Sequence, residues 1–327
     1  MDRKEIEAFL GEDWKNTLRI IGESLETDIP LLAQTNSSLL ENAGKRMRPI
    51  LSLMVSRACS TCGTTEDSWK VAAAAELLHN ATLLHDDVVD DGDKRRGVPT
   101  VNYILGSRPS VLIGDFWLVK SMGVILSCDR NRDRLISLFS NTLSDLAEGE
   151  VLQLQKASSG DTTREDYLKI IYSKTASLFN TAAMSGAISV GVSEDLVKAA
   201  GKYATALGMA FQIKDDILDY GEYEQIGKPV GVDLKERKIT MPLLGAFLKA
   251  GKEKEMQIRE KLTKIGEHRE YCDEIMEFVK QNGGVEYAYG QLEEFVAQAK
   301  EALCVLRDSR EKELLLSLAE YTGKRSL

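Results

Sequence analysis

Residues 77–97 of the sequence, LLHNATLLHDDVVDDGDKRRG, decide how the rest of the chain is interpreted. Leucines in the first half indicate a largely buried helix, and Asp86, Asp87 and Asp90 follow at its end. On a helix these carboxylates lie at about 0°, 100° and 40° around the axis, so they project from one side. Carboxylates this close repel one another unless a cation lies between them, and oxygen-only ligands suit Mg²⁺. The stretch therefore predicts a metal site at the end of a buried helix, in preference to a solvated acidic helix end.

The same Asp-Asp-x-x-Asp spacing occurs a second time, at Asp215, Asp216 and Asp219. It again follows an apolar stretch, and Gln212 lies one helical turn before Asp216 on the same face. One such motif is a weak signal, whereas two, each closing an apolar helix, predict a shared site for several metal ions. We expect the two motifs on facing helices of one bundle.

Helical periodicity dominates the chain, which has only 6 prolines in 327 residues and few stretches that alternate apolar with polar residues. Its hydrophobic content of 43% is enough to bury a sizeable core. No low-complexity linker or internal repeat marks a boundary. We therefore predict an all-α fold in which residues 1–327 form a single domain.

Charge and targeting signals narrow the class of protein. A formal net charge of −9 argues against general nucleic-acid binding, so an anionic substrate would need local cation clusters or metal ions. The N-terminal MDRKEIEAFL has no apolar signal-peptide core, and no stretch reaches the roughly 18 apolar residues of a membrane span. The cysteines are scattered and are expected to be reduced. The predicted location is cytoplasmic, with no transmembrane segment.

Three further stretches carry cations. GKRMRP, residues 44–49, places cations at the start of an apolar helix, where they oppose the helix macrodipole. A solvated basic turn and an anion-docking site explain this placement equally well. Lys174 lies among small and apolar residues, so its ammonium either reaches the edge of the fold or meets a buried anion, and we favour the anion. Residues 227–235 form a Gly/Pro-punctuated segment with two lysines, typical of a mobile lid.

Together these features predict a reaction type. A Mg²⁺ cluster on two carboxylate motifs could bind a diphosphate and neutralise the charge that builds as the diphosphate leaves carbon. Its departure leaves a carbocation, which needs a dry apolar cavity, and the helices leading into each motif offer apolar walls. The sequence contains no visible Ser/His/Asp or Cys/His arrangement, which fits an electrophilic mechanism.

The sequence resembles the trans-type polyprenyl diphosphate synthases. The motifs that carry the resemblance lie between about residues 40 and 245, and they are GKRMRP, HDDVVDDGDKRRG, KTASLF, FQIKDDILD and GKPVGVDLKERKITMP. The resemblance implies a single antiparallel helical bundle around a central cavity, the isoprenoid synthase type I fold, usually as a homodimer. It also implies that an allylic diphosphate, such as farnesyl or geranylgeranyl diphosphate, ionises and is attacked by the double bond of isopentenyl diphosphate.

The resemblance further implies roles for individual residues. Asp86, Asp87 and Asp90 would bind two Mg²⁺ ions on the allylic diphosphate, and Asp215 would bind a third. Asp216 and Asp219 would support that third ion through water. Contacts to the allylic diphosphate are implied for Arg95, Lys174, Thr175, Gln212, Lys228 and Lys238, of which Lys174 and Lys228 are expected to be catalytic. Contacts to isopentenyl diphosphate are implied for Lys45, Arg46, Arg48, His79 and Arg96.

Product length is predicted from helix geometry. We expect the product to grow from the metal site down the helix that precedes Asp86. At 1.5 Å per residue, Ala81 and Thr82 lie roughly 6–8 Å below the site, Leu78 about 12 Å and Ala75 about 16 Å.

Small side chains at the first level, together with Ala74 and Ala75, predict a deep tunnel with Phe139 or Leu135 as its floor. In short-chain members of the resembled family, a bulky aromatic residue blocks that level. We therefore predict a product of around seven to nine isoprene units for quinone side chains, handed over at the membrane.

Three alternatives stay open. They are a short-chain synthase making farnesyl or geranylgeranyl diphosphate, a class I terpene cyclase, and a non-catalytic synthase subunit. Cyclases with a similar first motif typically carry an Asn/Ser/Glu-type second motif and an aromatic-rich cavity, whereas this chain repeats Asp-Asp-x-x-Asp and has 6% aromatic residues. Non-catalytic subunits commonly lose one or both motifs, and here both are intact.

Overall fold

The computed structural model describes residues 3–95, 97–221 and 230–324. The regular structure in these residues is almost entirely helical, which confirms the predicted all-α class. The helices up to the first aspartate motif are α1 (Arg3–Leu10), α2 (Glu12–Ser24), α3 (Pro30–Glu41), α4 (Met47–Cys59) and α5 (Glu66–Val89). A short antiparallel hairpin follows, with β1 (Lys94–Arg95) paired to β2 (Val98–Pro99).

The remaining helices lead through the second motif to the C-terminal part of the chain. Up to that motif they are α6 (Val101–Leu105), α7 (Ser107–Leu126), α8 (Arg132–Ser159), α9 (Arg164–Ile171), a π-helical turn (Tyr172–Ala176), α10 (Ser177–Ser189) and α11 (Glu194–Leu218). Beyond it they are α12 (Val232–Lys235), α13 (Met241–Ala250), α14 (Lys252–Thr263), α15 (Glu270–Gln281), α16 (Gly284–Ala302), a 3₁₀ turn (Leu303–Val305) and α17 (Arg310–Lys324).

The chain divides into two compact units. The first unit comprises Met1–Asn141, Thr181–Gly201 and Val305–Leu315. The second unit comprises Thr142–Asn180, Lys202–Cys304 and Leu316–Leu327. The first aspartate motif belongs to the first unit and the second motif to the second unit. The single domain expected over residues 1–327 stays a prediction.

In the first unit, small residues bring α5 and α7 close together. Alanines 72–75 of α5 have no exposed surface, and the Ser121 hydroxyl of α7 donates to the Ala74 carbonyl at 2.8 Å. A Cβ atom on Gly114 would lie 2.4 Å from the His85 ring, so α7 passes close to this side chain of α5. This packing fixes the helix segment directly before the first aspartate motif.

In the second unit, a close helix approach lies beside the second motif. A Cβ atom on Gly208 of α11 would lie 2.6 Å from the Ala176 Cα, so α11 passes directly over the π-helical turn. Farther along the chain, Phe247 of α13 packs against Phe278 of α15, with ring centroids 6.1 Å apart. These contacts support α11 and the π-helical turn, which carry the site residues of this unit.

Among the described residues, one helix, α7, is long and apolar enough to cross a membrane. Of its most apolar 18 residues, 39% are buried within the structure. Trp117 and Ser121 on its inner face have no exposed surface. A single helix of this kind is weak support for a membrane span, because a packed core helix can have the same length and composition.

Candidate active site

The first aspartate motif lies where α5 ends. Asp86 and Asp87 lie in the last turn, and the N–H of Asp90 donates to the Asp86 carbonyl at 2.8 Å. Asp86 is partly exposed and Asp90 is exposed. Two of the three carboxylates are therefore accessible at the end of a buried helix, as the spacing predicts.

Asp87 differs from the other two aspartates of this motif. It is only 7% exposed, and its Oδ1 accepts a hydrogen bond from Arg95 Nε at 2.9 Å. Burial raises the pKa of the Asp87 carboxyl above its ordinary value, and the Arg95 guanidinium offsets part of that rise. Asp87 and Arg95 therefore bind each other in this structure, and their assignments to metal and to diphosphate stay predictions.

The hairpin that carries Arg95 is attached to the end of α5 by hydrogen bonds. The Thr100 hydroxyl donates to the Gly92 carbonyl at 2.6 Å, and Gly92 N–H donates to the Asp87 carbonyl at 3.0 Å. The Asn102 side-chain amide also donates to the Asp87 carbonyl, at 3.1 Å. The position of Arg95 is thus fixed by a turn that follows the motif directly.

The basic turn before α4 is partly structural. Met47 is the first residue of α4, which confirms that GKRMRP opens a helix. Arg46 adopts a left-handed conformation (φ 49°), and its guanidinium donates to the Leu40 carbonyl at 2.7 Å, so it ties the turn to α3. The other residues predicted for isopentenyl diphosphate are the exposed Lys45, the partly buried Arg48 and His79, and Arg96, which lies outside the described residues.

The residues predicted to line the product tunnel are closely packed. Ala75, Leu78, Ala81 and Phe139 have no exposed surface. Thr82 is partly exposed, and its hydroxyl donates to the His79 carbonyl at 2.8 Å. Solvent does not reach these four buried side chains in this structure. Their role in product length stays a prediction.

A cavity of about 240 Å³ lies on another face of α5 in the first unit. Its wall includes Leu83, Leu84 and the Asp87–Arg95 pair, together with apolar residues of α3 and α6. The sequence does not predict this cavity, because its lining comes from segments far apart in the chain.

The second motif lies at the end of α11, in a chain of hydrogen bonds. The Thr175 hydroxyl donates to Gln212 Oε1 at 2.8 Å, and Gln212 Nε2 donates to Asp216 Oδ1 at 2.9 Å. The Tyr167 hydroxyl donates to Asp216 Oδ2 at 2.5 Å. Asp216 is buried, and burial raises its pKa above the ordinary aspartate value. Asp215 is only partly buried and is the more accessible carboxylate.

Asp219 holds the segment that follows the motif. Its Oδ1 and Oδ2 accept the backbone N–H groups of Val232 and Asp233, both at 3.0 Å, and its carbonyl accepts the N–H of Gly231 at 2.9 Å. Burial raises the pKa of the Asp219 carboxyl, and the two backbone N–H groups offset part of that rise. The described end of the predicted lid is therefore attached to the motif, and Asp219 performs a structural task that its spacing alone does not reveal.

Lys174 and Thr175 both lie in the π-helical turn. The Lys174 ammonium pairs with Glu150 Oε1 at 2.7 Å, so it meets an anion supplied by the protein itself. The sequence does not predict Glu150 as a site residue. The feature that could have indicated it is the adjacent Gly149, which allows α8 to approach this turn.

The other predicted lysines of this site are Lys238 and Lys228. The Lys238 ammonium forms an ion pair with Glu236, and the backbone N–H of Lys238 donates to the Asp233 carbonyl at 2.8 Å. Lys228 lies outside the described residues, as do residues 227 and 229 of the predicted lid.

A cavity of about 140 Å³ brings many of these groups together within the second unit. Apolar side chains, including Ile170, Ile171 and Ile239, form part of its wall. The polar part of the lining includes Gln153, Lys156, Tyr167, Lys174, Gln212, Asp216, Asp233, Lys238 and two threonines. Ammonium groups beside apolar walls are suited to an anionic head group attached to an apolar chain.

Within the described residues, no three Asp, Glu, His or Cys side chains converge as a ready-made metal cage. The accessible donors of the two motifs are carboxylate oxygens, while Asp87 in the first motif and Asp216 and Asp219 in the second accept hydrogen bonds from the protein. This donor set fits Mg²⁺, which commonly takes one or two carboxylates and completes its octahedron with phosphate oxygens and water.

Known proteins show the same sequence and fold. The polyprenyl synthetase family model matches residues 29–279. Octaprenyl diphosphate synthase of Haemophilus influenzae is 36% identical over 327 residues, which is 100% of this chain and 98% of that protein. The crystal structure of a decaprenyl diphosphate synthase from Rhodobacter capsulatus has a TM-score of 0.91 at 34% identity, with 100% of both chains covered.

A second solved structure contains bound ligands. The polyprenyl synthase from Caulobacter crescentus, complexed with calcium and isoprenyl diphosphate, has a TM-score of 0.90 at 31% identity. The similarity covers 100% of this chain and 98% of that one. The fold of this chain is therefore the isoprenoid synthase type I fold. Since the family model spans most of the sequence and these relatives align along their whole length, the chain belongs to the polyprenyl synthetase family.

Proposed function

We propose that this chain condenses isopentenyl diphosphate head-to-tail with an allylic prenyl diphosphate and releases a long-chain all-trans polyprenyl diphosphate. The observation that carries the proposal is the cavity of the second unit. There Lys174, Lys238 and the Gln212–Asp216 pair lie beside apolar walls, in a family of prenyl-transferring enzymes. Farnesyl and geranylgeranyl diphosphate are the proposed allylic primers.

Mg²⁺ is the proposed cofactor, with about three ions per bound allylic diphosphate. Asp86 and Asp90 would hold ions at the first motif and Asp215 at the second, because these are the accessible carboxylates. When bound, Mg²⁺ supplies charge neutralisation for the departing diphosphate. Calcium and isoprenyl diphosphate in the Caulobacter crescentus enzyme support a divalent cation and a prenyl diphosphate as ligands.

The residues around the second motif have distinct proposed tasks. Lys174 and Lys238 offer ammonium groups to diphosphate oxygens, which carry more negative charge as the carbon–oxygen bond breaks. The Gln212 amide is engaged at both ends, by Thr175 and by Asp216, so Gln212 orients the motif as well as lining the cavity. The isoleucines of the wall keep water from the allylic cation.

The proposed product length is supported by the relatives and by the small residues before Asp86. The relatives include an octaprenyl and a decaprenyl diphosphate synthase, and this chain carries Ala81 and Thr82 at the level nearest the motif. We propose a product of around seven to nine isoprene units that serves as a quinone side chain and leaves the enzyme at the membrane.

The enzyme is proposed to act as a homodimer. Leu112, Val119 and Leu126 on the outer face of α7 are 68%, 67% and 53% exposed. Their spacing of seven residues places them on one side of the helix, as an apolar stripe that a second copy could cover. Light scattering after size-exclusion chromatography measures the mass of the assembly, and a monomeric mass would contradict the proposed homodimer. The cytoplasmic location stays a prediction.

The activity is tested by incubating the purified chain with Mg²⁺, farnesyl diphosphate and radiolabelled isopentenyl diphosphate. We expect a ladder of linear products ending in the long-chain range, with no product after chelation of the metal. Products no longer than geranylgeranyl diphosphate would support the short-chain alternative. A cyclic hydrocarbon would support a terpene cyclase, and the absence of any elongation by the chain alone would support a non-catalytic subunit.

A further inference from the structure

The π-helical turn Tyr172–Ala176 interrupts the helical segment that carries Lys174. π-helical turns are rare, and those that occur often lie at functional sites. Ser173 is 3% exposed, and its carbonyl accepts the Ser177 hydroxyl hydrogen at 2.6 Å, so the backbone beside Lys174 is firmly packed. The turn therefore presents the Lys174 side chain from a fixed base.

Helix α8 approaches this turn unusually closely at Gly149. A Cβ atom on Gly149 would lie 2.5 Å from Ser173 Cβ and 3.3 Å from Lys174 Cγ. Real Cβ atoms essentially never show a contact as short as 2.5 Å, so a side chain at Gly149 would push α8 and the turn apart. The approach brings Glu150, the next residue of α8, within reach of Lys174.

Glu150 and Lys174 form a largely buried ion pair. Glu150 Oε1 lies 2.7 Å from Lys174 Nζ, and the two side chains are 24% and 20% exposed. Lys174 lines the same cavity as Asp216 and Asp233, and Glu150 is the carboxylate with which its ammonium pairs in this structure.

We propose that Glu150 is a positioning residue that holds Lys174 in the orientation needed to receive the diphosphate. An ammonium has three N–H donors, so one can stay on Glu150 while the others bind phosphate oxygens. The proposal rests on the proposed function, in which Lys174 contacts the allylic diphosphate. It adds a residue that the resemblance did not place in the site.

The experiment is a double-mutant cycle of Glu150→Ala and Lys174→Ala. The probes are kcat and KM for farnesyl diphosphate, and calorimetric binding of inorganic pyrophosphate in the presence of Mg²⁺. We expect Glu150→Ala to weaken pyrophosphate binding and lower kcat/KM about tenfold, with no further effect in the Lys174→Ala background. Glu150→Gln keeps an acceptor oxygen for the ammonium and should retain more activity than Glu150→Ala.

Glu148→Ala is the matched control, because Glu148 is an exposed glutamate on the same helix. It should leave binding and kinetics unchanged, and thermal unfolding checks that all variants fold. Equal effects of Glu150→Ala in both backgrounds would overturn the proposal, as would a wild-type chain that does not bind pyrophosphate. A chain that binds pyrophosphate but forms no polyprenyl product would contradict the proposed function, while the binding cycle would still test Glu150.

Discussion

The Tyr167 hydroxyl lies 2.5 Å from the Asp216 carboxylate, and both groups are buried. Gln212 donates to the other oxygen of the same carboxylate, so the protein itself occupies both oxygens of the middle aspartate in the second motif. Burial raises the pKa of the Tyr167 hydroxyl as well, which keeps it a donor throughout the physiological pH range. The network fixes the end of α11, where Asp215 is left accessible.

Tyr167→Phe should destabilise the protein by about 1–3 kcal/mol, because it leaves a buried carboxylate oxygen without its donor. Urea unfolding followed by circular dichroism measures the change. Tyr103→Phe is the control, since Tyr103 is 64% exposed and should change stability little. Equal stability of the Tyr167→Phe variant and the wild type would show that the hydrogen bond is unimportant for folding.

Gly149→Ala should cost about 1–3 kcal/mol of stability, because its methyl group would overlap Ser173. Gly290 in α16 provides the matched control, since a Cβ atom there meets nothing within 4 Å. Gly290→Ala should raise stability by about 0.4–1 kcal/mol, because alanine has less conformational freedom to lose on folding. Thermal melts of both variants test the contrast, and two similar melts would contradict the close approach of α8.

Asp219→Ala should free the segment that follows the second motif. Its carboxylate accepts the N–H groups of Val232 and Asp233, so those amides should exchange with deuterium about tenfold faster in the variant. Asp215→Ala is the control and should leave the exchange at these two amides unchanged. Unaltered protection in Asp219→Ala would mean that other contacts hold the segment.

Asp166→Asn should reduce stability at neutral pH but not in acid. Asp166 forms a capping box with Thr163 at the start of α9, and its ion pair with Lys156 and hydrogen bonds from Thr163 hold its pKa below the ordinary value. A carboxyl with a lowered folded-state pKa stabilises the fold above its unfolded pKa, and that contribution disappears as the pH falls through the folded value.

The expected loss for Asp166→Asn is about 1 kcal/mol at pH 7. The difference from wild type should begin to shrink below the ordinary aspartate pKa and vanish once the pH is below the lowered folded-state pKa. Urea unfolding over a pH series measures it. Glu165→Gln removes a charge from the neighbouring exposed position and serves as the control. A difference that is the same at every pH would exclude the ionised carboxylate as the cause.

Ala81→Phe should shorten the products, because it places a ring in the predicted tunnel wall. Ala81 has no exposed surface, so the variant must first be shown to fold by its thermal melt. Leu248→Phe, at a position of α13 that is 68% exposed, introduces the same ring away from the predicted tunnel. Chromatography of the extracted lipids compares the two, and an unchanged length distribution in Ala81→Phe would refute the tunnel assignment.

Much of the architecture is predictable from local sequence. Helical periodicity predicts the all-α class, and GKRMRP is correctly placed at the start of α4. The apolar stretches before the two motifs become α5 and α11, which end at Val89 and Leu218. Residue spacing does not show that the inner face of α7 is packed in the core, where Trp117 and Ser121 have no exposed surface. Periodicity alone also does not show that the tunnel residues before Asp86 are closely packed.

The sequence by itself determined the helices, the two aspartate motifs and the family, because these depend on residue spacing within one or two helical turns. Only the tertiary structure decided which carboxylates are accessible and which are engaged by the protein. Asp87 pairs with Arg95, Asp216 with Tyr167, and Glu150 with Lys174. Burial and pairing depend on which side chains the packed helices bring together, and no local pattern encodes that.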